Sequence, residues 1–164
     1  SGNELITESG LRSLSSLFQS DHCRLEYLEL KHMNIDDDGA AVFSTGLARF
    51  MSLKKLKLNL SHNCIVDLGF VGGLLNCSNI EELNLSSNML SDEGMQCLVD
   101  GVTQHCSLTM LDLSRNSITA VGLRSLARFF QSGNCRLKQL QLFDIDFGDE
   151  GAVALADGLS GNTS

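Results

Sequence analysis

Leucine recurs along this chain in a fixed figure. From Leu108 the sequence reads LTMLDLSRNSITAVGLRSL: Leu108, Leu111 and Leu113, then a polar turn at Asn116, then Ile118, Gly122 and a second apolar series. The alternation Leu111-Asp112-Leu113 has the two-residue period of a strand buried on one face. After Gly122 the apolar residues Leu123, Leu126, Ala127 and Phe130 fall three and four apart, which predicts a helix. Each unit of the pattern is thus one strand, one turn and one helix.

The unit repeats with a period near 28 residues. It returns as LEYLELKHMNIDDDGAAVF from Leu25, IEELNLSSNMLSDEGMQCL from Ile80 and LKQLQLFDIDFGDEGAVAL from Leu137. Residues 6–25 match residues 118–137 at 13 of 20 positions, at an offset of four periods. The chain therefore opens inside a repeat, with a helix that places Leu11, Leu14 and Phe18 on one face. The expected organisation is one domain, 1–164, with a partial repeat 1–24 and repeats 25–52, 53–79, 80–107, 108–136 and 137–164.

Repeat by repeat, the inward helix positions are Ala40, Phe43 and Leu47; then Met95, Leu98, Val99 and Val102; then the series after Gly122; and finally Ala152, Leu155, Ala156 and Leu159. The repeat from Leu53 is irregular. Alignment on Asn63, Ile65 and Gly69 makes Leu58 and Leu60 its strand pair, which puts Leu53 two residues early and predicts a bulge or slip. Its helical half carries Gly69, Gly72 and Gly73. Each internal glycine costs a helix about 1 kcal/mol against alanine, so a single turn is expected there. Asn63, Asn88 and Asn116 can bond backbone groups in the turns. Met33 and Ile145 stand at the same position and cannot, so burial is expected to hold those two turns.

The figure L-x-x-L-x-L-x-x-N-x-L resembles the leucine-rich repeat. The helical half, G-[ALM]-x-x-[LF]-x-x-x-[LVF], and the 28-residue period are similar to the ribonuclease-inhibitor-like subfamily, which includes ribonuclease inhibitor, Ran GTPase-activating proteins and the repeat ends of NOD-like receptors. The resemblance implies an α/β right-handed solenoid, with parallel strands on the concave face and helices on the convex face. It further implies a non-enzymatic module that binds a protein through the concave face and adjoining loops. The alternatives it offers are regulation of a small GTPase and the ligand-sensing repeats of a NOD-like receptor. Neither end shows a polar cap, so the expectation is a fragment of a longer solenoid, or a homo-oligomer joined through the uncapped terminal repeats.

Composition narrows the partners. A formal charge of −8 repels phosphate backbones and anionic lipid, so the expected partner is a protein, with no nucleic acid and no membrane. No apolar run reaches the length of a membrane span. Cys23, Cys77, Cys106 and Cys135 occupy one repeat position just before a strand, as small apolar core residues would. Cysteines used in this way point to a reducing, cytoplasmic setting. The glycosylation triplets at Asn59 and Asn84 arise from the repeat pattern itself, beside others at Asn76 and Asn162.

Strand alternation also names the outward residues. They are Tyr27, Glu29 and Lys31; Lys57, Asn59 and Ser61; Glu82, Asn84 and Ser86; Met110, Asp112 and Ser114; Gln139, Gln141 and Phe143. Of these, the three serines form a polar row, and the others are the candidate partner-binding residues. Tyr27, Met110 and Phe143 are the apolar anchors among them; Phe143 alternatively shields the C-terminal end. His32 and His62 share a repeat position and should be neighbours. With no third ligand in that row, a solvated or hydrogen-bonded pair is expected rather than a metal site. The acidic residues before the helices, Asp36 to Asp38, Asp92 with Glu93, and Asp149 with Glu150, fit helix capping. No catalytic or phosphate-binding motif is present, so neither an enzymatic activity nor a cofactor is expected.

Overall fold

The computed structural model describes residues 6–17, 24–48, 55–67, 69, 80–104 and 107–160. Among them the order is α1 (Glu8–Leu17), β1 (Tyr27–Glu29), α2 (Asp37–Ala48), β2 (Leu56–Asn59), β3 (Ile80–Asn84), α3 (Asp92–Gln104), β4 (Met110–Asp112), α4 (Ala120–Gln131), β5 (Gln139–Gln141) and α5 (Gly148–Ser160). The strands form one parallel sheet in the order β1-β2-β3-β4-β5, and neighbouring helices pack along its other side. This is the expected α/β solenoid. Phe18, Leu53, Gly72, Gly73, Cys23, Cys77 and Cys106 lie outside the described residues, as does most of the glycine-rich helical half, residues 70–79.

The core is a column of leucines. Leu28, Leu58, Leu83, Leu111 and Leu140 lie side by side in register, and Leu58, Leu83 and Leu111 are buried. The expected inward helix residues of α2, α3 and α4 are all buried. Phe129 is buried as well, although its spacing from Leu126 and Phe130 does not single it out. The bulge or slip expected at Leu53 falls outside the described residues; further along, the β2–β3 register shifts between Leu56 and Lys57, where β3 spends an extra residue, Glu81.

The last helix departs from expectation. Ala152, Ala156 and Leu159 are exposed, Leu155 is half-buried, and the residues buried on α5 are Gly151 and Gly158. The reason is that, among the described residues, α5 is covered on one side only, by α4. There Gly158 allows a close approach: a Cβ at that position would sit 2.7 Å from the Cα of Ala127.

The turns hold the repeats together through asparagine amides that reach backward. The Oδ1 of Asn63 accepts from the N–H of Met33 at 3.1 Å and of Ile35 at 3.0 Å, while its Nδ2 donates to the carbonyls of Leu30 and Leu60 at 2.8 and 2.9 Å. Asn88 does the same for Ile65, Leu60 and Leu85. Asn116 does so for Leu90, Leu85 and Leu113. The turn at Met33 is therefore not held by burial alone, as had been expected. The asparagine of the following repeat holds it, because the amide serves the turn before its own. Each turn also carries a residue in the left-handed region, at His32, His62, Ser87, Arg115 and Asp144 (φ 54 to 58°), and the first turn carries a second, Asn34 (φ 55°).

The acidic residues divide two tasks. Asp36 caps its own helix, accepting from the Gly39 N–H at 2.9 Å. Asp37 and Asp92, one position further on, reach into the next repeat instead. Asp37 accepts from the N–H groups of Val66 and Asp67 at 2.9 and 3.1 Å. Asp92 accepts from the N–H groups of Thr119 and Gly122 at 2.8 and 2.9 Å and from the Thr119 hydroxyl at 2.7 Å. Capping explains Asp36, but inter-repeat bonding explains Asp37 and Asp92.

The Asn88→Ala substitution strands the buried N–H of Ile65 and the Leu60 carbonyl, each worth about 1–3 kcal/mol when left unpaired, while the Leu85 carbonyl keeps the Asn116 amide. We expect it to lower unfolding free energy by about 3 kcal/mol or more in urea titrations. Asn84→Ala, which removes only a partly exposed acceptor, should cost about 1 kcal/mol. Equal losses would refute the bridging role.

Candidate functional site

The strands present three outward rows on the concave face. The first row runs Tyr27, Lys57, Glu82, Met110, Gln139, and the second Glu29, Asn59, Asn84, Asp112, Gln141. The third follows at Lys31, Ser61, Ser86, Ser114 and Phe143. Neighbouring strands lie about 4.8 Å apart, so the face spans roughly 19 Å from β1 to β5.

The middle of this face is recessed. Ser61, Asp112 and Ser114 are buried, and Asn59, Asn84 and Ser86 are half-buried. These short side chains close the ends of their own strands. Asn59 Oδ1 accepts from the Ser61 N–H at 3.0 Å, Asn84 Oδ1 from the Ser86 N–H at 2.9 Å, and Asp112 Oδ1 from the Ser114 N–H at 3.0 Å. Ser114 in turn accepts from the Phe143 N–H at 3.0 Å. Strand alternation placed these residues outward correctly. It gave no hint that Asp112 is committed to a backbone bond and 93% covered (7% exposed).

The larger outward groups sit around that recess. At the N-terminal end, Lys31 Nζ lies 2.6 Å from Glu29, and the Tyr27 hydroxyl donates to Glu29 at 2.8 Å. Lys57 pairs with Glu82 at 2.7 Å. The Lys31 ammonium and the Tyr27 hydroxyl hold the Glu29 carboxyl below the usual carboxylate range. Glu29 in turn raises Lys31, and Glu82 raises Lys57. At the C-terminal end the surface is more apolar: Met110 is half-buried and Phe143 is 68% exposed. Arg115 stands over the Phe143 ring, 5.4 Å from its centroid, and lies 3.4 Å from Asp144.

His32 and His62 are neighbours as expected, with stacked rings 4.3 Å apart. Cys64 does not join them; its thiol donates to Asn34 Oδ1 at 3.2 Å. Among the described residues no group of three or more His, Cys, Asp or Glu is placed to hold a metal ion. Cys135 is buried, and burial pushes its thiol up; burial and then Asp67 do the same to Cys97. Raised thiols are poor nucleophiles. No helix among the described residues is long and apolar enough to cross a membrane.

Comparison with known proteins agrees with this architecture. The family model described as Leucine Rich repeat matches residues 76–99, 104–127 and 133–156. The chain is 31% identical over 162 residues to NACHT, LRR and PYD domains-containing protein 5 of Homo sapiens, covering 97% of this chain and 13% of that protein. It is 28% identical over 150 residues to ribonuclease inhibitor of Mus musculus, covering 90% of this chain and 33% of that one. The chain thus spans a third or less of these relatives. A solved structure of Leiomodin-1 Actin-Binding Site 2 superposes with a TM-score of 0.67 at 15% identity, covering 90% of this chain and 88% of that one. That likeness is one of fold.

The ion-pair cluster gives a pH test. A carboxyl lowered in the folded state contributes stability above its ordinary value of 4.5 and loses it as pH falls through the lowered value. A raised amine contributes below its ordinary value of 10.5 and loses it as pH climbs through the raised one. In a carboxyl-detected NMR titration, Lys31→Met should move the Glu29 midpoint upward, and Tyr27→Phe should move it upward by less. An unmoved midpoint in Lys31→Met would refute the pairing.

Proposed function

Because this chain is a leucine-rich-repeat protein of the ribonuclease-inhibitor-like class, we propose that it is a non-enzymatic binding module that takes a protein partner on its concave face. Leucine-rich repeats are protein-interaction modules, and the concave face is the part of this one with free side chains of the right kind. The observation that carries the reading is the arrangement of Tyr27 and Phe143. They are 52% and 68% exposed, at opposite ends of a recessed floor of Asn and Ser. Large aromatic groups at the ends of a polar trough are anchors that a partner segment can bury. Lys57, Glu82, Met110, Gln139 and Gln141 line the path between them, with Glu29 and Lys31 beside Tyr27. Asn59, Asn84 and Asp112 shape the floor, each with one oxygen already engaged.

A second reading makes the chain the repeat region of a larger multidomain protein. The coverage favours it: almost all of this chain aligns to a small part of a relative whose name places leucine-rich repeats beside NACHT and PYD domains. An open reading frame that encodes a nucleotide-binding region upstream of residue 1 would bear this out, and one without it would overturn it. For regulation of a small GTPase, Arg115 is the residue that would have to supply a guanidinium, and it is already engaged by Asp144 and Phe143.

Binding is tested by calorimetry against a purified partner recovered with the wild-type chain. Tyr27→Ala and Phe143→Ala should each weaken affinity roughly tenfold or more, the range of interface hot spots. The convex-face change Val121→Ala, at an equally exposed residue (55%), should leave affinity unchanged. If the convex variant is the one that loses binding, the concave face is not the site.

A further inference from the structure

The charges of the three concave rows cancel in pairs, except at Asp112. Glu29 is held by Lys31 at 2.6 Å, and Glu82 by Lys57 at 2.7 Å. Asp112 is the remaining charged residue of those rows, and it forms no ion pair among the described residues. It is also the buried one, only 7% exposed. Its Oδ1 accepts from the Ser114 N–H at 3.0 Å. Its Oδ2 accepts no hydrogen bond among the described residues, where no fully covered side-chain oxygen goes unbonded. Oδ2 therefore reaches the surface of the recess, on the outward side of β4.

The negative charge is surplus to the strand-end bond. Asn59 and Asn84 stand in the same row and accept from the Ser61 and Ser86 N–H groups at 3.0 and 2.9 Å with neutral amides. A covered carboxylate without a counter-charge costs stability, so this one is poised for a cation from outside.

We propose that Asp112 receives a lysine ammonium of the protein partner. This rests on the concave-face reading and names what the partner brings to it. An ammonium fits better than a guanidinium. The arginine fork takes both carboxylate oxygens, and Oδ1 is spent on Ser114. A lysine carries a compact charge on a slender stem, suited to a group with so little open area. Gln141 lies beside Asp112 in the sheet register, and its side-chain amide makes no hydrogen bond among the described residues. Its oxygen supplies a second acceptor. Met110, two residues earlier on β4, and Phe143, two residues beyond Gln141, offer apolar surface to the lysine methylenes. The chain's charge of −8 draws a basic partner in from a distance.

Selection of a random-sequence peptide library displayed on phage, against the folded chain, tests this. Wild-type binders should share a lysine at one position, beside apolar residues. For such a peptide, calorimetry should find binding to Asp112→Asn roughly tenfold or more weaker. Norleucine in place of the peptide lysine should cost about as much. The two changes together should cost little more than either alone, since both break one contact. Arginine in place of that lysine should weaken binding as well. In urea titrations of the free chain, Asp112→Asn should unfold at an equal or higher midpoint, because the strand-end bond stays while the charge goes. Binders without a shared lysine, an empty selection, or a lower midpoint for Asp112→Asn would overturn the proposal. Peptides that lose affinity with Phe143→Ala but not with Asp112→Asn would overturn this contact and leave the concave reading standing. Peptides that lose affinity with Val121→Ala alone would overturn both.

Discussion

One carboxamide per turn is the bond on which this solenoid depends. A strand and a helix of some 28 residues cannot bury their apolar faces alone, so every repeat relies on its neighbours. Hydrophobic contact supplies the attraction but not the register. The amides of Asn63, Asn88 and Asn116 supply that, because an amide carries a donor and an acceptor on one rigid plane. Each one holds carbonyls from two successive repeats while accepting from the backbone of the earlier one. Buried polar backbone in the turns is thereby satisfied, and adjacent repeats are locked at one relative height. Asp37 and Asp92 add a second tie at the helix starts.

These constraints bear on the proposed concave site. On the convex side the last two helices pack closely, so that at Gly158 a methyl group will not fit. The recessed floor of the concave face is occupied as well, since Asn59, Asn84 and Asp112 each close a strand end. On the concave face, what remains free are the larger side chains around that floor. Those at the N-terminal end largely neutralise one another through the pairs Glu29–Lys31 and Lys57–Glu82. The C-terminal end, around Met110 and Phe143, is less charged and more apolar. The face therefore grades from ionic to aromatic along its length.

Most of the fold was legible because its signal is periodic. Two-residue alternation gave the strands, helical spacing gave the buried stripes of α2, α3 and α4, and the fixed offset gave the stacking. Where the reading failed, the cause was a partner in another repeat. Met33 looked unsupported because its support comes from Asn63, thirty residues on. Asp92 looked like a cap because nothing local reveals that it reaches Thr119. Ala152, Ala156 and Leu159 keep the helical spacing of an inward stripe, but burial also needs something to be buried against. On the candidate site, alternation gave direction and not depth, so Asp112 and Phe143 read alike although one is covered and the other open.

The left-handed residues at the turns carry a consequence of their own. His32, His62, Ser87, Arg115 and Asp144 share one backbone conformation, which costs an L-residue about 1–2 kcal/mol. Four chemically different kinds of side chain occupy it, which means that the surrounding bonds impose the conformation whatever residue is present. Along this rim, then, the backbone sets the shape and leaves the wording free. A cation, an anion, a hydroxyl or an imidazole can be exchanged there at nearly constant strain, which makes the column a margin on which a repeat protein can change its message without rewriting its fold.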